Sequence, residues 1–240
     1  MKKKTIALLL ACMMVLGVAI GGTMAWLTDK TDNVVNTFTI GDINIEIDET
    51  GATKNNDGDL AKGYDFVPGD TLSKDPYVKV MEDSEDCYLF IHVEEEYNLN
   101  VPYTKADGSS ATEKLMTYSI DDSVWTPVNG QAGYWYCKVT NVPEEIEGPP
   151  ADYLPFNILK DKEVKISQYI TKEMIKGNGS AENPGLETHL PKLMFSAAAV
   201  QIKNLADMTK IEGNENPTAE QLEAANVLAA WNELPESFTA

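Results

Sequence analysis

The chain offers few side chains suited to catalysis. It has two histidines, His92 and His189, and a zinc hydrolase needs two imidazoles one helical turn apart with a glutamate beside them as base, as in H-E-x-x-H. His92 is followed by Val93-Glu94-Glu95-Glu96 with no second histidine at helical spacing, and the alternation around it reads as a strand. His189, within Glu187-Thr188-His189-Leu190-Pro191, reads as a surface loop residue. Asn55-Asn56-Asp57-Gly58-Asp59 and Glu82-Asp83-Ser84-Glu85-Asp86 could serve weak calcium binding, because hard cations collect carboxylate and carbonyl oxygens. Neither has the full spacing of a calcium loop, so solvated turns are the favoured reading. Serine-nucleophile motifs of the G-x-S-x-G kind and phosphate-cradling glycine loops do not occur. Tyr134-Trp135-Tyr136 would make a sugar platform only if the rings shared a face; in a strand they alternate, which core plus surface packing explains. The expectation is a protein that is not an enzyme, with no catalytic residues, no metal centre and no cofactor beyond weak calcium binding.

The composition narrows the partners. The 240 residues carry 43% hydrophobic and 24% charged side chains, enough for one globular domain of ordinary core content. Lys+Arg is 19 against Asp+Glu 38, for a net charge of -19, and every one of the basic residues is Lys. Such a surface repels phosphate, so nucleic acid and anionic lipid are poor partners, and no guanidinium is available to clamp a carboxylate or phosphate.

The N-terminus has the three parts of a secretory signal. Lys2, Lys3 and Lys4 precede an apolar run from Ile6 to Ile20, and Gly21-Gly22-Thr23-Met24-Ala25 supply the small residues of a cleavage site. A cut between Ala25 and Trp26, with Thr23 and Ala25 as the recognised small residues, removes three Lys and no acid and takes the net charge from -19 to -22. Two other readings exist. Ile6 to Leu27 is long enough to span a bilayer as an uncleaved anchor, and Leu9-Leu10-Ala11-Cys12 resembles a lipobox, although eight more mostly apolar residues follow Cys12. Leu234 to Ala240 contains neither an apolar tail nor a basic stop. The expected product is therefore exported, and if it stays at the cell surface it does so by association.

Behind this leader the pattern is that of strands. Asp42-Ile43-Asn44-Ile45-Glu46-Ile47-Asp48 alternates strictly, Cys87 to Glu94 alternates as a central strand should, and Met116–Ile120, Tyr134–Val139, Val164–Ile170 and Leu193–Ile202 are further β-like runs. Between them lie Asp107-Gly108, Asn129-Gly130, Pro149-Pro150 and Asn178-Gly179-Ser180. The fold class expected is all-β, an antiparallel sandwich. Gly51 to Gly63 reads as a loop, Phe66-Val67-Pro68-Gly69-Asp70 as a tight turn, and Tyr97–Lys114 and Val142–Phe156 as long connections. One amphipathic helix is expected from Thr218, whose spacing to Gln221 makes a capping box, to about Glu233, with Leu222, Ala225, Leu228, Ala229 and Trp231 on its packed stripe. Cys87 and Cys137 lie on the apolar parity of their strands; a disulfide between them and two buried free thiols are equal alternatives.

Gly22-Thr23-Met24-Ala25-Trp26-Leu27-Thr28-Asp29 followed by Phe38-Thr39-Ile40-Gly41 resembles the start of the TasA/camelysin family of exported biofilm-matrix and surface proteins. Val67-Pro68-Gly69-Asp70 with Lys74-Asp75-Pro76, and Phe195-Ser196-Ala197-Ala198-Ala199-Val200-Gln201, look like that family's proline-glycine turn and late strand. The resemblance implies a jelly-roll-like sandwich over 42–240, including the helix, cleavage of residues 1–25 by a SipW-type signal peptidase, and a structural role as a fibre subunit. It further implies homo-polymers in which the segment 26–41, with Thr37, Phe38, Thr39 and Ile40 as its β-prone part, serves as a donor strand to the next subunit. The competing reading is that this segment forms the first strand of its own domain or frays. Two other functions go with the resemblance: a camelysin-like metal-dependent surface peptidase, and an accessory protein that anchors a fibre without polymerising.

Overall fold

Two apolar runs, Cys87 to Val93 and Leu193 to Val200, build the centre of the molecule. In the computed structural model, which describes residues 35–40, 43–54, 60–64, 66–147, 152–177, 185–186, 189–204 and 216–239, they are the ten-residue strands β7 (Cys87–Glu96) and β15 (Lys192–Gln201). The other described strands, in chain order, are β1 (Val35–Ile40), β2 (Ile45–Asp48), β3 (Thr53–Lys54), β4 (Leu60–Ala61), β5 (Thr71–Ser73) and β6 (Tyr77–Met81), then β8 (Asn100–Thr104), β9 (Ser110–Lys114), β10 (Met116–Thr117), β11 (Thr126–Pro127), β12 (Tyr134–Val139), β13 (Tyr153–Asn157) and β14 (Glu163–Ile166). The fold is all-β. The main sheet has the order β1-β15-β7-β12-β11, and two three-stranded sheets, β13-β6-β2 and β10-β14-β5, face it. Pairing is antiparallel except that β1 runs parallel to β15.

The principal core lies between these sheets. Ile45 and Ile47 of β2, Val78 and Val80 of β6 and Val164 and Ile166 of β14 meet Cys87, Leu89, Ile91 and Val93 of β7 and Phe195, Ala197 and Ala199 of β15. The other parity of the main sheet is covered as well. Tyr88, Phe90, Tyr134, Ala198 and Val200 pack beneath the C-terminal helix (Ala219–Glu233) and the short helix Glu236–Thr239, through Val227, Ala230, Trp231, Leu234 and Phe238. The alternation expected over Cys87–Glu94 is corrected: β7 is buried on both faces, as is the end of β15, so both are nearly continuous apolar runs where a one-sided strand would alternate.

Local chemistry fixes the connections. Asp70 N donates to Val67 O at 3.1 Å and Gly69 has φ +86°, a turn with proline and glycine in its two central places, where only glycine tolerates the left-handed backbone. Gly69 N and Ile166 N hold this turn to β14 by hydrogen bonds to Ile166 O and Asp70 O. The helix begins with the capping box expected: Gln221 N donates to Thr218 Oγ1 at 3.2 Å and Thr218 N to Gln221 Oε1 at 3.0 Å. Its packed face differs from the expected stripe. Val227, Ala230 and Trp231 are buried, whereas Leu228 is 58% exposed, because the i, i+3, i+4 and i+7 positions that reach the sheet start from Val227 and end at Leu234.

Four further expectations are corrected. Tyr97–Lys114 contains the β8–β9 hairpin, turning at Asp107-Gly108, and β13 lies at the end of the expected connection Val142–Phe156. The run Val164–Ile170 is a strand only as far as Ile166; Tyr169 N then donates to Ser167 Oγ in a local turn. Within Gly51–Gly63, Thr53–Lys54 pairs with Leu60–Ala61.

Candidate assembly edge

The residues proposed for assembly fall on one edge of the main sheet. Thr37, Phe38, Thr39 and Ile40 belong to β1, which lies outermost next to β15, in parallel register from Val35 opposite Phe195 to Ile40 opposite Val200. Val-Asn-Thr-Phe-Thr-Ile is rich in β-branched and aromatic residues, which favour a pleated backbone. The signal segment, the cleavage residues Thr23, Ala25 and Trp26 and the lead up to residue 34 lie outside the described residues. In this single chain β1 completes its own sheet, so the first-strand arrangement is the one the structure contains.

The strand that β1 lies against is β15. Phe195 is 2% exposed and Ala197, Ala198 and Ala199 are fully buried. Their small side chains let the core on one face and the helix layer on the other close on the same strand. β15 is bonded to β7 along its whole other side, from Lys192 opposite Glu96 to Gln201 opposite Cys87. Without β1, alternate residues along the six-residue stretch Phe195–Val200 of β15 would present unpaired main-chain donors and acceptors beside a fully built core, a costly edge that an extended segment could satisfy. The opposite edge of the sheet differs: β11 is two residues long and ends in Pro127, which cannot donate to a ladder. Pro155 occupies the edge strand β13 of a facing sheet in the same manner. The sequence marks Phe195–Val200 as a strand, but its pairing with β1 follows only from sheet order.

The cysteine pair sits on adjacent strands without forming a bridge. Cys87 is opposite Val139 and Cys137 opposite Leu89, which makes the two a diagonal pair, and both thiols are free and buried. Diagonal neighbours have Cβ atoms roughly 7 Å apart, well beyond the approach a disulfide needs. Of the two alternatives, the structure contains the pair of buried free thiols. Burial pushes the Cys87 thiol up to about 12 and raises Cys137 as well, with Cys87 adding to the latter. The folded mature protein is expected to show no thiol reacting with an aromatic disulfide reagent at neutral pH. Both Cys87 and Cys137 should react once the chain is denatured without reductant, and an alkylation-mass experiment reads the difference directly.

The other candidate groups do not converge. His92 stacks on Tyr134 with ring centres 4.0 Å apart, and burial lowers its pKa; His189 lies edge-on to Tyr97 at 4.6 Å. Tyr134 turns to the helix layer with Tyr136, and Trp135 to the principal core, so the three rings share no platform. In the acidic turn after β6, Glu82 accepts from Ile146 N, Asp86 from Asn141 N, and Glu85 pairs with Lys203 at 3.3 Å. Asn55 to Asp59 lie outside the described residues. Among the described residues no group of three or more His, Cys, Asp or Glu could hold a metal ion. Compared with protein-family models, curated proteins and solved structures, the chain shows no significant match.

Proposed function

We propose that the protein is an exported, non-enzymatic structural subunit of an extracellular matrix or cell-surface fibre, which associates with copies of itself by passing its N-terminal strand to a neighbour. The observation that carries this reading is the position of β1, outermost on the main sheet and joined to it only through β15. A strand that completes its own sheet in one molecule can complete the same edge of another, since the main-chain hydrogen bonds are identical in both arrangements. Export is supported by the basic, apolar and small-residue parts of residues 2–25, and a fibre role by the resemblance of the residues around Trp26 and Phe38 to the TasA/camelysin family. In this account a SipW-type peptidase frees the strand and the acidic surface keeps the subunit soluble until exchange occurs.

In a parallel ladder alternate residues of an edge strand donate to the neighbour, so Thr37→Pro and Phe38→Pro together test both parities. The variant that removes a ladder donor should lose pelletable assemblies while retaining the β-type circular dichroism of the domain. Undiminished pelleting by both would count against strand exchange.

A further inference from the structure

Glu49 and Lys74 are charged side chains placed where water scarcely reaches. Lys74 is 4% exposed and Glu49 7%, and Lys74 Nζ lies 2.9 Å from Glu49 Oε2. The Tyr64 hydroxyl donates to Glu49 Oε1, and Lys62 Nζ stands 3.8 Å from the same oxygen. The Lys74 ammonium is packed between rings, 5.0 Å from the centre of Tyr64 and 5.4 Å from that of Phe195. Both backbones are pinned: Glu49 directly follows β2, and Lys74 follows β5 with its N–H donated to Lys162 O at 2.9 Å. A cavity of about 20 Å³ adjoins Lys74 and Tyr64, lined by them with Phe66, Leu72, Met116 and Leu193.

We propose that Glu49 and Lys74 are the partners of an intramolecular amide cross-link formed by the folded protein itself. A proton passes from Nζ to the carboxylate, leaving a free amine beside a carboxylic acid. The nitrogen attacks Cδ and the C–N bond forms, while the Tyr64 hydroxyl and the Lys62 ammonium stabilise the charge developing on Oε1. Oε2 takes the proton shed by the nitrogen and departs as water as the C–O bond breaks. Acid plus amine gives amide plus one water, with no change of oxidation state and no co-reactant.

In water this condensation is slow because ammonium and carboxylate are both strongly hydrated. Here burial disfavours the charged amine, and its pKa is lowered chiefly by desolvation. Fixed approach of the two groups replaces a bimolecular encounter with an intramolecular one. The adjoining cavity exceeds the ~10–15 Å³ needed for one water, so the leaving molecule has a place to go. The bond would tie the sheet β13-β6-β2 to the sheet β10-β14-β5 across 25 residues of chain, a covalent tie that the out-of-register cysteines do not provide.

Intact mass spectrometry of the denatured mature protein tests this directly. The expected mass is short by one water, and a tryptic digest should lack cleavage after Lys74 and contain a branched peptide joining Glu49 to Lys74. Lys74→Ala and Glu49→Ala should restore the full mass. Should either fail to fold, Tyr64→Phe keeps the ring, removes the hydroxyl and should slow the mass loss in freshly made protein. Wild-type protein of full mass cut normally after Lys74 would overturn the proposal, as would a water deficit that maps to other residues.

Discussion

Trp231→Ala should lower the unfolding free energy by about 3–5 kcal/mol, the range for removing a buried aromatic side chain from a packed site, and the thermal midpoint by roughly 10 °C for a chain of this length. Trp231 is 9% exposed and meets Phe90 and Tyr134 edge-on, with ring centres 5.9 and 4.8 Å away. Tyr134 in turn donates its hydroxyl to Phe238 O at 3.0 Å and packs on the Phe238 ring. One truncation therefore loosens both C-terminal helices from β7 and β12 and opens a cavity over the main sheet. Leu228→Ala, two positions before the buried stripe resumes at Ala230, should change stability by no more than about 0.5 kcal/mol. Urea melts of the two variants separate these cases, and equal losses would mean that the helix is seated on the Leu228 side.

The second large effect belongs to the buried pair in the principal core. Lys74→Ala or Glu49→Ala alone should cost about 3–5 kcal/mol, because each takes the nearest opposite charge away from a buried group. Replacing both with apolar residues of similar volume, Lys74→Met with Glu49→Leu, removes the uncompensated charge but also any cross-link, and so should recover part of the loss. A double variant as unstable as the sum of the singles would show that the two side chains act independently. The sign of the single-variant effect is the same whether the partners are joined by an ion pair or by an amide; the mass of the wild-type chain distinguishes these.

Much of this architecture is legible along the chain because it rests on local chemistry. Val67-Pro68-Gly69-Asp70 folds as its residues demand, and Thr218 with Gln221 caps the helix where their spacing places it. Cys87 to Glu94 lies in the central strand expected there, although burial on both faces replaces the expected alternation. Other features were hidden for physical reasons. The β8–β9 hairpin buries Val101 but leaves most of its residues exposed or half-buried, so it lacks the apolar signal that marks a core strand. The helix face was misjudged by one position because alanines flank the stripe on both sides and blur its centre.

The candidate site was half legible. Val35 to Ile40 is β-prone by composition, but that it runs parallel to β15, more than 150 residues later, depends on sheet order that no local pattern encodes. The cysteine pair shows the same limit: parity correctly places Cys87 and Cys137 toward one core, while the two-residue offset that keeps them apart appears only in the register. Glu49 and Lys74 look like ordinary surface charges until the fold brings β2 and β5 to the same place.

The central claim is that the N-terminal strand joins subunits. Its most direct measurement is negative-stain microscopy and sedimentation of the mature protein beginning at Trp26, beside a version lacking Trp26 to Ile40 and the same truncated version supplied with a synthetic peptide of those residues. The account predicts filaments from the intact form only, with the peptide restoring a stable monomer by filling the β15 edge without extending it. Monomers from the intact form at every concentration, or filaments from the truncated one, would contradict it.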